Sequence, residues 1–256
     1  MLKTRLIAVI ILRDGQVVQS VKFKHTNVIH YDAFHAIETF NRWSVDEIVF
    51  LDVSREDKGR QLFTDIVQHV SKTCFVPLAV GGWIRNEDQA QQLLAKGADK
   101  LVVNSILHDD PDLVTRLSAR FGKQCIVGSM DYTHTECSGA RVCIDRARHV
   151  TNHDPVAWAR HAESLGVGEI MLNCVERDGN RKGYDLSMIK AVSENISIPL
   201  IAFGGVFRWK HLVEGAQAGA SAVAAANIFH YTEHSTKHAK RHMADHGILV
   251  RQEGLI

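Results

Sequence analysis

One pattern occurs twice in this chain, at positions about half a chain apart. Residues Pro77–Ile106 read PLAVGGWIRNEDQAQQLLAKGADKLVVNSI, and residues Pro199–His230 read PLIAFGGVFRWKHLVEGAQAGASAVAAANIFH. Each copy has a short apolar run that ends in Gly-Gly, a helix-like segment that ends in Gly-Ala, and a second apolar run that ends in Asn. A strand, a helix and a second strand of this length predict a βαβ unit with parallel strands.

The distance between the two copies predicts the architecture of the whole chain. The matching positions lie about 122 residues apart in a chain of 256 residues. A repeat of this period indicates two similar halves, about residues 1–122 and 123–256, each with about four βα units. Eight such units in about 250 residues are typical of a (β/α)₈ barrel. We therefore expect an α/β fold, with residues 1–256 forming one TIM barrel that has a two-fold internal half-barrel repeat.

One connection is too long for an ordinary loop between a strand and a helix. It follows the predicted fifth strand, Gln124–Met130, and contains the β-like stretch RVCI, so we expect an inserted hairpin at about residues 132–150. A second short hairpin is predicted at Val17–Phe23. The remaining predicted elements include the strands Arg5–Leu12, Glu47–Asp52 and Glu169–Asn173, and the helices Tyr31–Trp43, Gly59–Thr73, Asp110–Phe121, Pro155–Leu165, Asp185–Glu194 and His234–His246.

Composition excludes several classes of protein. The net charge is +1 with the two signs well mixed, which argues against a nucleic-acid-binding surface. No apolar run approaches the length of a membrane span, and the early run LIAVIIL is not followed by a small-residue cleavage site. Five cysteines without a CxxC spacing fit a reducing compartment. We expect a soluble, cytoplasmic protein that needs no cofactor.

The Gly-Gly turns are candidate phosphate-binding sites, because the loops after the strands build the active site of a (β/α)₈ barrel. Glycine lets backbone N–H groups approach an anion, and the next helix N-terminus adds a favourable dipole. The alternative is that these glycines only permit tight turns, but their duplication in one context favours a ligand with a phosphate at each end. The candidate phosphate-binding residues are Gly81, Gly82, Asn104, Ser105, Asp178, Gly179, Gly204, Gly205 and Asn227.

Two groups of possible metal ligands are also present. A histidine recurs at every fourth residue at His230, His234, His238, His242 and His246. A solvated helix face explains this pattern better than a metal site, because no carboxylate or cysteine completes the set. Four further candidates fall in the inserted hairpin, at His134, Cys137, Cys143 and His149. Their spacing fits no common zinc pattern, so no metal site is predicted.

Longer motifs show a family resemblance. The chain resembles the cyclase subunit of imidazole glycerol phosphate synthase, the HisF family, over essentially its whole length. The motifs that carry the resemblance are RLIAVIILRDGQVV, VGGWIRNEDQA, GADKLVVNS, VGSMD, GVGEIMLNCVERDGNRKGYD and GGVFRWKHLVEGAQAGASAVAAANIFH. The resemblance implies a barrel with two phosphate sites that receives ammonia from a HisH-like glutaminase. It implies cyclisation of an N-substituted ribulosyl aminoimidazole carboxamide nucleotide to imidazole glycerol phosphate.

The chain departs from this family at its catalytic end. The resemblance assigns two aspartates as acid and base, at the ends of strands one and five, on opposite sides of the substrate. Strand five keeps Asp131, whereas the matching position on strand one is Ile11, which cannot transfer a proton. A family lysine beside a phosphate is Gln19 here, and a phosphate-loop serine is Asn227.

The opposite end keeps the family's charges. Arg5, Glu47, Lys100 and Glu169 begin four predicted strands, where charged residues commonly just face water. The resemblance implies instead that these two cations and two acids form a salt-bridged ring at the barrel floor, where ammonia enters. It places Asp99 beside the glutaminase interface.

Three functions are therefore open. The departures match a branch of the family that is associated with surface-polysaccharide gene clusters. In that branch the barrel supplies ammonia from a glutaminase to a separate sugar amidotransferase, for amidination of a sugar in lipopolysaccharide synthesis. The second possibility is an authentic imidazole glycerol phosphate synthase subunit in which Asp131 alone carries the proton chemistry. The third is a non-catalytic scaffold that activates the glutaminase.

Overall fold

The structure, a computed structural model, describes residues 2–34, 45–54, 58–136, 139–230 and 235–251. Its strands are β1 (Arg5–Arg13), β2 (Gln16–Val21), β3 (His25–His30), β4 (Glu47–Asp52), β5 (Leu78–Gly81), β6 (Lys100–Val103), β7 (Ile126–Thr135), β8 (Gly139–Ile144), β9 (His149–Val150), β10 (Glu169–Cys174), β11 (Leu200–Phe203) and β12 (Ala222–Ala225). Its helices are α1 (Lys58–Ser71), α2 (Glu87–Ala95), α3 (Ile106–Asp109), α4 (Pro111–Phe121), α5 (Pro155–Ser164), α6 (Leu186–Ser193), α7 (Trp209–Gln217) and α8 (Ser235–Asp245).

Eight of the described strands form a closed parallel barrel. Their order is β1-β4-β5-β6-β7-β10-β11-β12, and the circle closes because β12 pairs with β1, with Ala8 opposite Ala225. On the other side of β1, Ile7 lies opposite Glu47 of β4. Helices connect the strands outside the barrel, which confirms the predicted (β/α)₈ fold. The repeated sequence forms β5-α2-β6 in one half and β11-α7-β12 in the other.

The barrel strands are apolar on both faces because each face packs against other atoms. On β1, Ile7, Val9 and Ile11 belong to a cluster that fills the barrel interior. The alternate residues, among them Leu6 and Ile10, pack in the larger core between the strands and the outer helices. None of the described helices is long and apolar enough to cross a membrane.

The helix starts follow the expected capping chemistry. Asp110 accepts a hydrogen bond from the backbone N–H of Leu113 at 2.9 Å, and Pro111 occupies the first turn of α4. Strand β7 begins at Ile126, two residues later than predicted, because Lys123–Cys125 form a 3₁₀ turn. The predicted helix Tyr31–Trp43 falls largely outside the described residues, as do Cys137 and His234.

Two antiparallel hairpins extend from the barrel. The hairpin after β1 is longer than predicted from Val17–Phe23, since β2 pairs with β3 from Val17 to Val21. The long connection after the fifth barrel strand forms the second hairpin: β7 continues beyond the barrel and pairs with β8, from Asp131–Cys143 to Thr135–Gly139.

Four charged side chains close the floor of the barrel. Arg5, Glu47, Lys100 and Glu169 are the first residues of β1, β4, β6 and β10. Arg5 contacts Glu47 at 2.6 Å and Glu169 at 2.7 Å, while Lys100 contacts the same two carboxylates at 3.0 and 2.8 Å. The ring is therefore complete, with each charge between two opposite charges. The Glu47 side chain is 2% exposed, so its charge depends on these partners.

Breaking this ring is expected to destabilise the fold. Lys100→Met removes one of two cations that neutralise the buried Glu47, and loss of one partner of a buried pair costs about 3 kcal/mol. Urea unfolding measures the change. Lys190→Met is the matched control, because Lys190 is exposed and its pair with Glu194 at 3.9 Å contributes at most about 1 kcal/mol. Equal losses in the two variants would contradict a structural role for the ring.

Candidate functional site

A cavity of about 650 Å³ opens at the C-terminal ends of the barrel strands. This is the end at which (β/α)₈ barrels carry their active sites. Apolar side chains line it on the barrel side, including Ile11, Leu51, Met171 and Phe203. Polar side chains that line it include Asp52, Ser105, Asp131, Asn173 and Asp178.

Asp131 is held in a fixed position in this cavity. It is 7% exposed, and its two carboxylate oxygens accept hydrogen bonds from the side-chain amides of Asn104 at 2.8 Å and Asn173 at 3.0 Å. Burial raises the pKa of the Asp131 carboxyl to about 6, although the two amide donors act in the opposite direction. A carboxyl with this pKa can both accept and donate a proton near neutral pH.

Ile11 lines the same cavity from β1. The position that resemblance assigned to the second aspartate thus carries an apolar side chain, 7% exposed, in the interior cluster of the barrel. Of the predicted acid–base pair, the cavity contains Asp131 alone.

Two other carboxylates that line the cavity accept hydrogen bonds from neighbouring side chains. Asp52 accepts hydrogen bonds from the Ser54 hydroxyl and the Trp83 indole, both at 2.5 Å, and burial raises its pKa. Asp178 accepts a hydrogen bond from the Ser20 hydroxyl at 2.6 Å, and burial raises its pKa as well. Asp178 therefore ties the loop after β10 to the β2–β3 hairpin, and its predicted contact with a phosphate stays a prediction.

The first glycine turn lines the cavity as predicted for a ligand-binding turn. Gly81, Gly82 and Ser105 are all part of the lining. Gly82 has φ +123°, and a Cβ there would lie 2.8 Å from the Asp52 carbonyl oxygen, so only glycine fits this approach. The Asn104 side chain, however, donates to Asp131. The sequence analysis did not predict this hydrogen bond, and the predicted contact of Asn104 with a phosphate stays a prediction.

The second glycine turn lies under a neighbouring loop. The backbone N–H of Gly183 donates to the Gly205 carbonyl at 2.8 Å, and a Cβ on Gly205 would meet the Gly183 carbonyl oxygen at 2.5 Å. Gly204, Gly205 and Asn227 are not among the residues that line the 650 Å³ cavity in the described part of the chain. The Asn227 side-chain oxygen is buried and has no hydrogen-bond partner among the described residues.

Three arginines at the cavity were missed by the analysis of the sequence. Arg13 donates to the Thr26 hydroxyl at 2.7 Å, Arg146 donates to the Val53 carbonyl at 3.3 Å, and Arg85 is exposed at the rim. Arg85 follows the first glycine turn by three residues, so its position near an anion was deducible. Arg146 reaches the cavity from the inserted hairpin, whose direction no local pattern predicts. Arginine commonly binds phosphate through paired N–H groups, so these three side chains are candidate contacts for an anionic ligand.

Comparison with known proteins decides the family. A family model described as "Histidine biosynthesis protein" matches residues 5–235. The imidazole glycerol phosphate synthase subunit HisF of Caulobacter vibrioides is 39% identical over 260 aligned positions, which cover 100% of this chain and 98% of that protein. A putative imidazole glycerol phosphate synthase subunit hisF2 of Vibrio vulnificus is 42% identical over 234 positions, covering 91% of this chain and 85% of its own length.

The chain belongs to the HisF family.

Within this HisF-family barrel, the three described members of the hairpin's His/Cys group, His134, Cys143 and His149, have different neighbours. His134 contacts Asp185 at 2.9 Å, whereas His149 lies 3.8 Å from Asp145 and Cys143 is buried opposite Asp131. His242 on α8 and His246, directly after this helix, form a close pair with ring centroids 4.2 Å apart.

The ionisation of Asp131 is directly measurable in this HisF-family protein. We expect ¹³C NMR of labelled aspartate carboxyls to give a midpoint near pH 6 for Asp131. Asn104→Ala removes a donor that favours the charged form, so it should raise the midpoint further. Asn195→Ala, at a distant side chain, should leave it unchanged. A midpoint at the ordinary aspartate value in the unsubstituted chain would contradict the burial of this carboxyl.

Proposed function

We propose that this chain is a HisF-type subunit that receives ammonia from a glutaminase docked at the barrel floor. It conducts the ammonia to the cavity at the opposite end, where a phosphorylated ligand binds. The single observation that carries the proposal is the contrast between the two ends of the barrel. The floor has a complete ring of two cations and two acids, whereas the cavity has Ile11 opposite Asp131.

The barrel interior supports the passage of a neutral molecule. Small and aliphatic side chains pack the interior, so a path through it would offer no strong binding to ammonia and would exclude ions. These are Ile7, Val9, Val49, Ala79, Val102, Val127, Met171, Ile201, Ala222 and Ala224. A charged ring next to such an apolar interior is costly unless every charge is paired, as it is here. A fully paired ring below an apolar interior fits an entry point for ammonia.

The destination of the ammonia follows from Ile11. Ring closure in the family needs proton transfer on both sides of the substrate, and this cavity supplies it on one side. We therefore assign the ammonia to amidination of a sugar in surface-polysaccharide synthesis, completed by a separate sugar amidotransferase. The support for this step is the resemblance to that branch together with Ile11 and Gln19.

One observation favours the second candidate, an authentic cyclase. Asp131 has a pKa of about 6, and Asp52 and Asp178 line the same cavity. A reaction that uses Asp131 with one of these carboxylates would still produce imidazole glycerol phosphate. A scaffold without chemistry, the third candidate, would need neither the cavity nor the carboxyl with a raised pKa.

Cyclisation with added ammonia separates these candidates. We expect formation of imidazole glycerol phosphate to be about 10²–10⁴-fold slower than in an ordinary HisF subunit, because one proton-transfer group is missing. Ile11→Asp combined with Gln19→Lys should recover part of the rate. Ile11→Asn with Gln19→Lys is the control, because asparagine is polar and of similar size to aspartate but has no carboxyl group to transfer a proton. An ordinary rate in the unsubstituted chain would favour the authentic cyclase.

Docking of the glutaminase is tested at Asp99. This exposed residue precedes β6 at the barrel floor and accepts a hydrogen bond from the Leu78 N–H at 2.8 Å. Asp99→Asn keeps an acceptor for Leu78 while removing the charge, so we expect an intact fold. We expect binding of the HisH-like glutaminase encoded nearest to this chain to weaken by roughly tenfold, or about 1.4 kcal/mol.

The matched control for docking is Asp65→Asn on the outer helix α1, which should leave binding unchanged. Calorimetry measures affinity, and glutamine hydrolysis measures stimulation of the partner. A barrel that neither binds nor stimulates this glutaminase would refute the proposed function.

A further inference from the structure

A second cluster of reactive side chains lies outside the barrel, behind the cavity wall. Along β7 the side chains alternate, so Asp131 faces the cavity while Tyr132 packs in the outer core. His134 is on the same side as Tyr132, with ring centroids 5.7 Å apart. On the neighbouring strand β10, Asn173 faces the cavity and Cys174 packs in the outer core.

Three potential metal ligands converge at this place from three elements. His134 comes from the extension of β7, Cys174 from the end of β10, and Asp185 from the residue that caps α6. One ligand atom of each side chain lies within 4.8 Å of the other two. The closest pair is His134 Nε2 and Asp185 Oδ2, 2.9 Å apart.

The carboxylate of Asp185 is oriented by its neighbours. Its Oδ1 accepts hydrogen bonds from the Ser187 hydroxyl at 2.6 Å and from the Met188 N–H at 3.4 Å. The other oxygen, Oδ2, therefore points into the cluster, where it meets His134 and the Tyr132 hydroxyl at 3.0 Å. Partners that fix the direction of a ligand in this way are typical of metal sites.

The surroundings favour a cation. A second carboxylate, that of Glu176, has Oε2 3.3 Å from the Cys174 sulfur, and its Oε1 accepts from the Thr133 hydroxyl and the His134 N–H. In the described part of the chain, neither Asp185 nor Glu176 forms an ion pair with lysine or arginine. Two carboxylates and a thiol thus share a small space in which histidine is their one basic neighbour.

From this geometry we propose that His134, Cys174 and Asp185 form a binding site for Zn²⁺. Imidazole nitrogen, thiolate sulfur and carboxylate oxygen are all zinc ligands, and bonds of about 2.0–2.3 Å require ligand atoms about 3.5 Å apart. The three atoms lie within 4.8 Å of one another, so metal binding would require only side-chain adjustments of about an ångström. Water or Glu176 would occupy the fourth position of the tetrahedron.

The three ligands differ in solvent exposure, and this difference permits a metal ion to enter the site. Cys174 is 4% exposed and Asp185 is 7% exposed, so two ligands are held in the packed outer core. The side chain of His134 is 52% exposed, so the ion can enter from solvent on that side. Three ligands of different chemistry select zinc over Mg²⁺ and Ca²⁺, which take oxygen ligands.

The bound ion would connect the loop after β10 to the wall of the cavity. Tyr132 and Cys174 are paired across β7 and β10, directly after the pair Asp131 and Asn173. A metal on Cys174, His134 and Asp185 would join both strand ends to the start of α6. Its role is therefore structural: it would fix the backbone from which the Asp131–Asn173 hydrogen bond is made.

The test uses the full chain without an affinity tag, stripped of metals with a chelator, and titrated with Zn²⁺ or with Co²⁺ as a coloured substitute. We expect one equivalent of Co²⁺ to bind with a sulfur-to-metal charge-transfer band and the visible bands of a tetrahedral ion. Cys174→Ser should abolish the charge-transfer band. His134→Gln, at a half-exposed position that leaves the core intact, should weaken binding at least about tenfold.

Two controls make the assignment specific. Cys74→Ser removes another free cysteine, which lies between α1 and β5, and the double variant His242→Gln, His246→Gln removes the histidine pair at the end of α8. Both should retain the charge-transfer band and the one-to-one binding. Absence of binding in the unsubstituted chain, a band that persists in Cys174→Ser, or loss of binding in the α8 double variant would each overturn the proposal.

Discussion

Closure of the parallel sheet is the constraint on which the rest of this structure depends. Because β12 pairs with β1, every barrel strand has two neighbours, and its side chains alternate strictly between interior and exterior. The interior row of one strand then runs from the floor to the cavity. On β6 that row is Lys100, Val102 and Asn104, and on β10 it is Glu169, Met171 and Asn173.

This alternation gives the barrel an interior with three zones. The first inward residue of each such strand belongs to the charged ring, the next is apolar, and the last belongs to the cavity. Asn104, directly after β6, and Asn173 on β10 both reach Asp131, because β6 and β10 are the two barrel neighbours of β7. The exterior row of β7 and β10 carries Tyr132 and Cys174, so the proposed zinc site and the cavity are opposite faces of the same two strands.

The fold could be predicted from the sequence because it repeats one unit and because each unit is marked by local sequence patterns. A duplicated strand, helix and strand predicts parallel pairing, and capping residues such as Asp110 mark helix starts within one turn. The cavity was predictable only in part. The backbone of Gly82 has a positive φ that favours glycine, so a turn at this position was deducible from the sequence. The hydrogen-bond partners of Asn104 and Asp178, in contrast, lie 27 and 158 residues away in the chain. Such contacts depend on tertiary packing, which no local pattern specifies.

Substitutions at the two ends of the barrel have different effects on the stability of the fold, because only the floor has buried charges that depend on one another. Replacing either cation leaves the buried Glu47 with one partner fewer, and replacing either acid takes a partner from both Arg5 and Lys100, so the four residues stabilise one another as a unit. At the cavity, an isoleucine in place of an acid leaves no buried charge behind, because Asp131 takes its hydrogen bonds from Asn104 and Asn173 and not from position 11. The fold of the cavity therefore does not depend on an acid at position 11. Under the proposed function, such a barrel keeps its ammonia entry while the chemistry at its other end changes.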